Sequence, residues 1–136
     1  MAKIMVVDDS EDLVDSIAIY LEKEGNKIVP VYRGEEAISL APIEKPDLII
    51  LDVNLPGLDG FEVARRLRSH RLTAGIPIIF LTVRSELKDR LRGLSYGALD
   101  YITKPFSMED LGRRVEEALR KVRETKRKVR WRRARR

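Results

Sequence analysis

Short apolar runs alternate along the chain with stretches in which apolar residues recur every three or four positions. The runs at 4–7, 28–31, 48–51, 76–81 and 101–102 are rich in Ile, Val, Leu and aromatic residues, and each is a predicted strand. Between the first two, Leu13, Ile17, Tyr20 and Leu21 fall at helical spacing. Ser10 is placed to cap that helix and Gly25 to end it in a left-handed turn. Further helices are predicted over 35–40, 61–69, 86–95 and 108–122. In the last, Met108, Leu111, Val115, Leu119 and Val122 form one apolar stripe. Ser107 is its expected N-cap, and Asp110 stands where the reciprocal acid of a capping box would.

Strands alternating with helices through short connections imply a parallel sheet with right-handed crossovers and helices on both faces, an α/β doubly wound architecture. The unbroken runs LIIL and IIFL fit strands covered on both sides. In such sheets the ligand site lies beyond the carboxyl ends of the strands. Asp8 and Asp9 follow the first strand, Asp52 the third, Thr82 the fourth, and Lys104 with Pro105 the fifth. A single acid after a strand is usually a helix cap or a solvated loop residue. Five chemically apt residues on one rim require a different explanation.

Three carboxylates converging on a small volume repel one another and raise one another's pKa unless a cation compensates. All the donors are hard oxygens, which suits Mg²⁺, an ion satisfied by a few carboxylates, waters and substrate phosphate oxygens. The chain has no cysteine, and its one histidine, His70, lies in a polar loop, so a zinc site has little support. A carboxylate held beside Mg²⁺ can attack phosphorus and form an acyl phosphate. Lys104 would contribute a point charge to the phosphoryl oxygens, and the Thr82 hydroxyl a further donor. No general base for hydrolytic turnover stands out.

In order and spacing, VVDDS at 6–10, LDVNLPGLDG at 51–60, FLT at 80–82 and GALDYITKPF at 97–106 resemble the response regulator receiver family, over residues 3 to about 122. The resemblance implies a five-stranded flavodoxin-like (βα)5 sheet of order 2-1-3-4-5, with Asp52 as phosphoacceptor. It further implies Mg²⁺ held by Asp8, Asp9, Asp52 and the backbone carbonyl of Asn54, contacts from Lys104 and Thr82 to the phosphoryl group, and a cis Lys104–Pro105 bond. Tyr101 stands at the family's switching aromatic. Phosphorylation would draw Thr82 inward and let Tyr101 turn into the space, reshaping the face of the fourth helix, fifth strand and fifth helix. The plainer reading packs Tyr101 with its hydroxyl in water.

The implied function is a phosphorylation-activated response regulator in a two-component His-Asp phosphorelay, fed by a sensor histidine kinase or phosphotransfer protein. It is not a turnover enzyme: the domain would catalyse only its own phosphorylation and slow dephosphorylation. Asp100, Asp110, Arg114, Arg120 and Arg90 resemble the ionic face through which DNA-binding members form homodimers, although ordinary solvated charges would look the same. Two positions depart from the family's pattern. Val83 replaces the usual small residue after Thr82, and Leu99 with Asp100 replaces a pair of acids.

A length of 136 residues fits one domain. The net charge of +5 conceals a division: residues 120–136 carry eleven Lys or Arg and one Glu, leaving sixteen basic and twenty-one acidic side chains in 1–119. The expected organisation is a receiver over 1–122 and a basic tail or helix extension over 123–136. That segment, which contains Trp131, can favour the helix dipole, lead into an output domain, or bind DNA or an anionic surface. Lack of cysteine, of a signal-like start and of any transmembrane run points to a cytoplasmic location. Three alternatives remain: the receiver part of a DNA-binding transcriptional regulator, a nucleic-acid-binding module acting through the tail, and a metal-dependent aspartyl phosphatase. The phosphatase pattern sets a second acid two positions after a first-strand nucleophile, whereas Asp8 and Asp9 are adjacent.

Overall fold

A computed structural model of the chain describes residues 1–135; Arg136, the last of the basic segment, lies outside the described residues. Five strands, β1 (Lys3–Val7), β2 (Lys27–Val31), β3 (Leu48–Leu51), β4 (Ile78–Thr82) and β5 (Asp100–Thr103), pair in parallel in the order β2-β1-β3-β4-β5. Five helices alternate with them: α1 (Glu11–Lys23), α2 (Gly34–Glu44), α3 (Gly60–Ser69), α4 (Leu87–Ser95) and α5 (Met108–Ala134). This is the doubly wound order expected from the resemblance.

Successive strand residues face opposite ways, so each strand feeds two cores. Ile4, Val6, Leu48, Ile50, Ile79, Leu81 and Ile102 pack with Val14, Ile17 and Leu21 of α1 and Leu111, Val115 and Leu119 of α5. Met5, Val7, Ile49, Leu51, Ile78 and Phe80 pack on the other face with Ala37 and Ala41 of α2 and Phe61, Val63 and Leu67 of α3. Burying a side chain such as Leu or Ile contributes about 1.5–3 kcal/mol, and these two layers fix the plane of the sheet and hence its rim.

Helix ends follow the expected chemistry with one exception. Ser10 accepts from the Leu13 N–H at 3.3 Å, and α1 closes at Gly25, φ 93°, where the Gly25 N–H donates to the Glu22 carbonyl and the Asn26 N–H to the Leu21 carbonyl. Ser107 accepts from the Asp110 N–H at 3.0 Å. Asp110 does not return the bond; its carboxylate is held by Arg113 and Arg114, so the capping box is only half formed. Two elements outrun the sequence pattern: α2 continues past Pro42 to Glu44, and α5 continues twelve residues beyond Val122 without a break. Strand β4 begins two residues later than predicted, after Ile76 and Pro77, and the edge strand β2 accommodates Pro30, where one side needs no donor. The Lys104–Pro105 bond is cis, as expected.

Candidate phosphoryl and cation site

Asp8 leaves the end of β1 and is almost wholly buried, and its Oδ1 accepts from the Ser10 N–H at 2.9 Å. Asp52 follows β3 and is equally buried; the Asn54 N–H donates to its Oδ1 at 3.1 Å. Asp9, next to Asp8, is exposed. Ligand atoms of the three carboxylates all lie within 4.8 Å of one another. From the end of β5, Lys104 reaches into the cluster, its Nζ 2.7 Å from Asp8 Oδ2 and 3.1 Å from Asp52 Oδ2.

Burial drives the Asp52 carboxyl above its ordinary value, and the Asp8 charge adds to the effect, while Lys104 and the Asn54 N–H oppose it. Burial disfavours the Lys104 ammonium, yet hydrogen bonding and attraction from Asp8 and Asp52 prevail and hold its pKa above normal. Three carboxylates face one ammonium, so the pocket carries an excess of two negative charges, lined by hard oxygen donors. That donor set fits Mg²⁺ and does not fit a soft or nitrogen-preferring ion.

A close approach of backbone sets the position of Asp52. A Cβ on Gly60, the first residue of α3, would stand 2.1 Å from the Asp52 carbonyl oxygen and 2.7 Å from Val53 Cα. The Gly60 N–H donates to the Val53 carbonyl at 2.8 Å, and Asp59 caps α3 by accepting from the Glu62 N–H at 2.9 Å. The DG at the end of LDVNLPGLDG is therefore a packing contact beneath the acid, which the sequence marks only as a motif.

Thr82 ends β4 and is fully buried; its hydroxyl accepts from the Arg84 N–H at 3.3 Å, and its carbonyl accepts from the Lys104 N–H at 2.8 Å. Tyr101 is buried against Phe80, ring centroids 5.8 Å apart, and its hydroxyl donates to the Arg84 carbonyl at 2.7 Å. The Tyr101 hydroxyl is thus bonded to the protein backbone rather than left in water. Arg84 in turn pairs at 2.8 Å with Asp89, a buried acid of α4. Neither Arg84 nor Asp89 was visible as functional in the sequence, since their pairing depends on how the β4–α4 loop turns. Val83 points outward and is more than half exposed, and His70 is exposed at the end of α3.

The β-α order defines a doubly wound domain with an acidic cluster at the carboxyl ends of its strands. The response regulator receiver domain profile matches residues 4–116, and the chain belongs to that family. It is 47% identical over 119 residues to the alkaline phosphatase synthesis transcriptional regulatory protein PhoP of Bacillus subtilis, covering 88% of this chain and 49% of that one. It is 46% identical over 121 residues to the phosphate regulon transcriptional regulatory protein PhoB of Rhizobium meliloti, covering 89% of this chain and 53% of that one. The chain spans about half the length of these relatives. A CheY-like receiver domain structure from Methanospirillum hungatei superposes with a TM-score of 0.85 at 28% identity, over 92% of this chain and 98% of that one. The chain is therefore a receiver domain of two-component signalling.

Proposed function

We propose that Asp52 is the phosphoryl acceptor and that the domain works as a switch rather than a turnover enzyme. The supporting observation is the convergence of Asp8, Asp9 and Asp52 with the Lys104 ammonium at the strand ends. An Asp52 oxygen attacks phosphorus and the bond to the donor breaks. The donor is a phosphohistidine of a sensor kinase or phosphotransfer protein, or a small acyl phosphate. The departing group takes a proton from solvent, and an acyl phosphate remains on Asp52. Asp8, Asp9, Asp52 and the Asn54 carbonyl would hold Mg²⁺, which when bound neutralises charge on the phosphoryl oxygens. Lys104 donates to one of those oxygens from its place beside Asp52, and Thr82 donates to another after moving toward the phosphoryl group.

The readout is the α4-β5-α5 face. The Tyr101 hydroxyl ties β5 to the backbone of Arg84, beside Thr82, so a shift of Thr82 toward the phosphoryl group is passed to the position of Tyr101. Moving a nearly off population to nearly on requires roughly 5.5 kcal/mol of preference. A homodimer through this face is supported by Leu87 and Leu91, which are 70% and 57% exposed on α4. Nearby, Arg114 pairs with Asp100 at 3.1 Å and with Asp110 at 3.2 Å. Such exposed pairs contribute only about 0–1 kcal/mol each, so the apolar residues would carry the contact.

A second reading, that this is the receiver part of a DNA-binding transcriptional regulator, is favoured by the names of the relatives and by the half-length match. Residues 1–122 form the receiver in this reading, and 123–136 a basic segment whose described part continues the last helix to Ala134. No helix among the described residues is long and apolar enough to cross a membrane, and a cytoplasmic site of action suits the phosphorelay chemistry. Beryllofluoride with Mg²⁺ tests the acceptor assignment by fluorine NMR. A single bound species that disappears in Asp52→Asn is expected, and an adduct that survives that substitution contradicts it.

A further inference from the structure

We propose that the exposed end of α5, from Arg120 to Arg135, is a binding element for duplex DNA. The proposal is independent of the phosphoryl chemistry. The last fully apolar contact of α5 with the domain is made near Leu119. Beyond it only Val122 is half-buried, and every other described residue through Arg135 is exposed. The segment nevertheless stays helical to Ala134, which gives a projecting rod of about 22 Å at 1.5 Å per residue.

The charges on this rod point to a polyanion. Ten Lys and Arg lie between Arg120 and Arg135, against Glu124 alone. Among the described residues only Lys121 of these ten has a carboxylate partner, Glu117 at 3.8 Å. Arg123 with Arg127, Lys126 with Arg130, and Lys128 with Arg132 stand four apart. Each such like-charge pair opposes the helix. A partner that supplies negative charge removes that repulsion, whereas a second copy of the same rod adds to it.

The distribution of apolar side chains selects duplex over membrane. At about 100° per residue the cations spread over roughly 260° of the circumference, leaving a narrow sector with Val122, Thr125 and Val129. Val122 and Val129 share one side, but Trp131 lies about 160° around from Val129, and the Arg135 guanidinium sits 4.8 Å from the Trp131 ring. A helix lying in a lipid interface needs its apolar residues on one broad face, which this helix lacks. A rod about 10–12 Å across with charge over most of its circumference matches a major groove about 12 Å wide, walled by phosphates on both edges.

Fluorescence anisotropy of the 136-residue chain with a short labelled DNA duplex tests this. With about six phosphates neutralised, affinity should fall about 10³-fold between about 50 and 200 mM salt. The combined substitution Arg127→Gln, Lys128→Gln, Arg130→Gln and Arg132→Gln should weaken binding at low salt by at least about tenfold and flatten the salt dependence. These side chains are exposed, and an unchanged thermal midpoint shows that the domain remains folded. The sole tryptophan, Trp131, reports locally. Tighter binding to phosphatidylglycerol vesicles than to duplex, with a blue shift of Trp131 emission, would overturn the proposal in favour of a membrane. Equal affinity for single strands, or duplex binding unaffected by the four substitutions, would overturn it also.

Discussion

A Cβ on Gly93 of α4 would stand 2.8 Å from Cδ2 of the Tyr101 ring and 3.0 Å from that of Phe80, so the inward position of Tyr101 exists because residue 93 has no side chain. The placing of this aromatic thus depends on a helix residue eight positions earlier in the chain.

Gly93→Ala should therefore destabilise the domain by about 1–3 kcal/mol through overpacking, despite the better helix propensity of Ala. The penalty should largely vanish in a Tyr101→Ala background. Chemical denaturation of the four variants of the cycle measures the coupling. Strictly additive effects would show that Gly93 does not gate the ring.

Asp52 carries a pH prediction. Its carboxyl pKa is raised, chiefly by burial, so between the unfolded and folded values the native state holds more protons than the unfolded one. Stability then falls as pH rises through that window and remains lower above it. Asp52→Asn removes this penalty while leaving Lys104 its 2.7 Å contact with Asp8. Without metal, the variant should be more stable than the parent at neutral pH, seen as a higher thermal midpoint. The gap should close in acid below the usual carboxylate range, and Mg²⁺ should stabilise the parent far more than the variant. Thermal melts that show Asp52→Asn to be the less stable protein at neutral pH would contradict the electrostatic picture.

Lys104 and the cation have separate roles in the proposed site. Lys104→Met deletes a positive charge from a cluster with excess negative charge, so Mg²⁺ affinity should hold or rise. Phosphoryl acceptance from acetyl phosphate should slow by about tenfold or more as a preset donor is lost. Calorimetry with Mg²⁺ and a phosphorylation time course separate the two effects. Loss of Mg²⁺ binding together with unchanged phosphorylation would reverse the assignment.

Legibility in the sequence followed the physical origin of each feature. Asp8, Asp9, Asp52, Thr82 and Lys104 could be placed on one rim because apolar runs locate strand ends and the topology gathers those ends. The sequence leaves the basic end of α5 open between a tail and a helix extension, because apolar periodicity stops at Val122 and helix propensity is opposed there by charge repulsion; it is helix to Ala134. The two-residue offset at β4 arises at Pro77, which offers no N–H to the ladder. The extension of α2 past Pro42 runs against the residue's usual effect in a helix interior. Gly60 beneath Asp52, Gly93 beneath Tyr101, and the Arg84–Asp89 pair are contacts between elements distant in the chain or set by a loop. They carry no local pattern to read.

The acceptor role of Asp52 is tested most directly by intact mass spectrometry of the chain after incubation with acetyl phosphate and Mg²⁺. The account predicts a gain of one phosphoryl group that requires the metal and is absent from Asp52→Asn. The same gain in Asp52→Asn, or no gain in the parent with Mg²⁺ present, would contradict it.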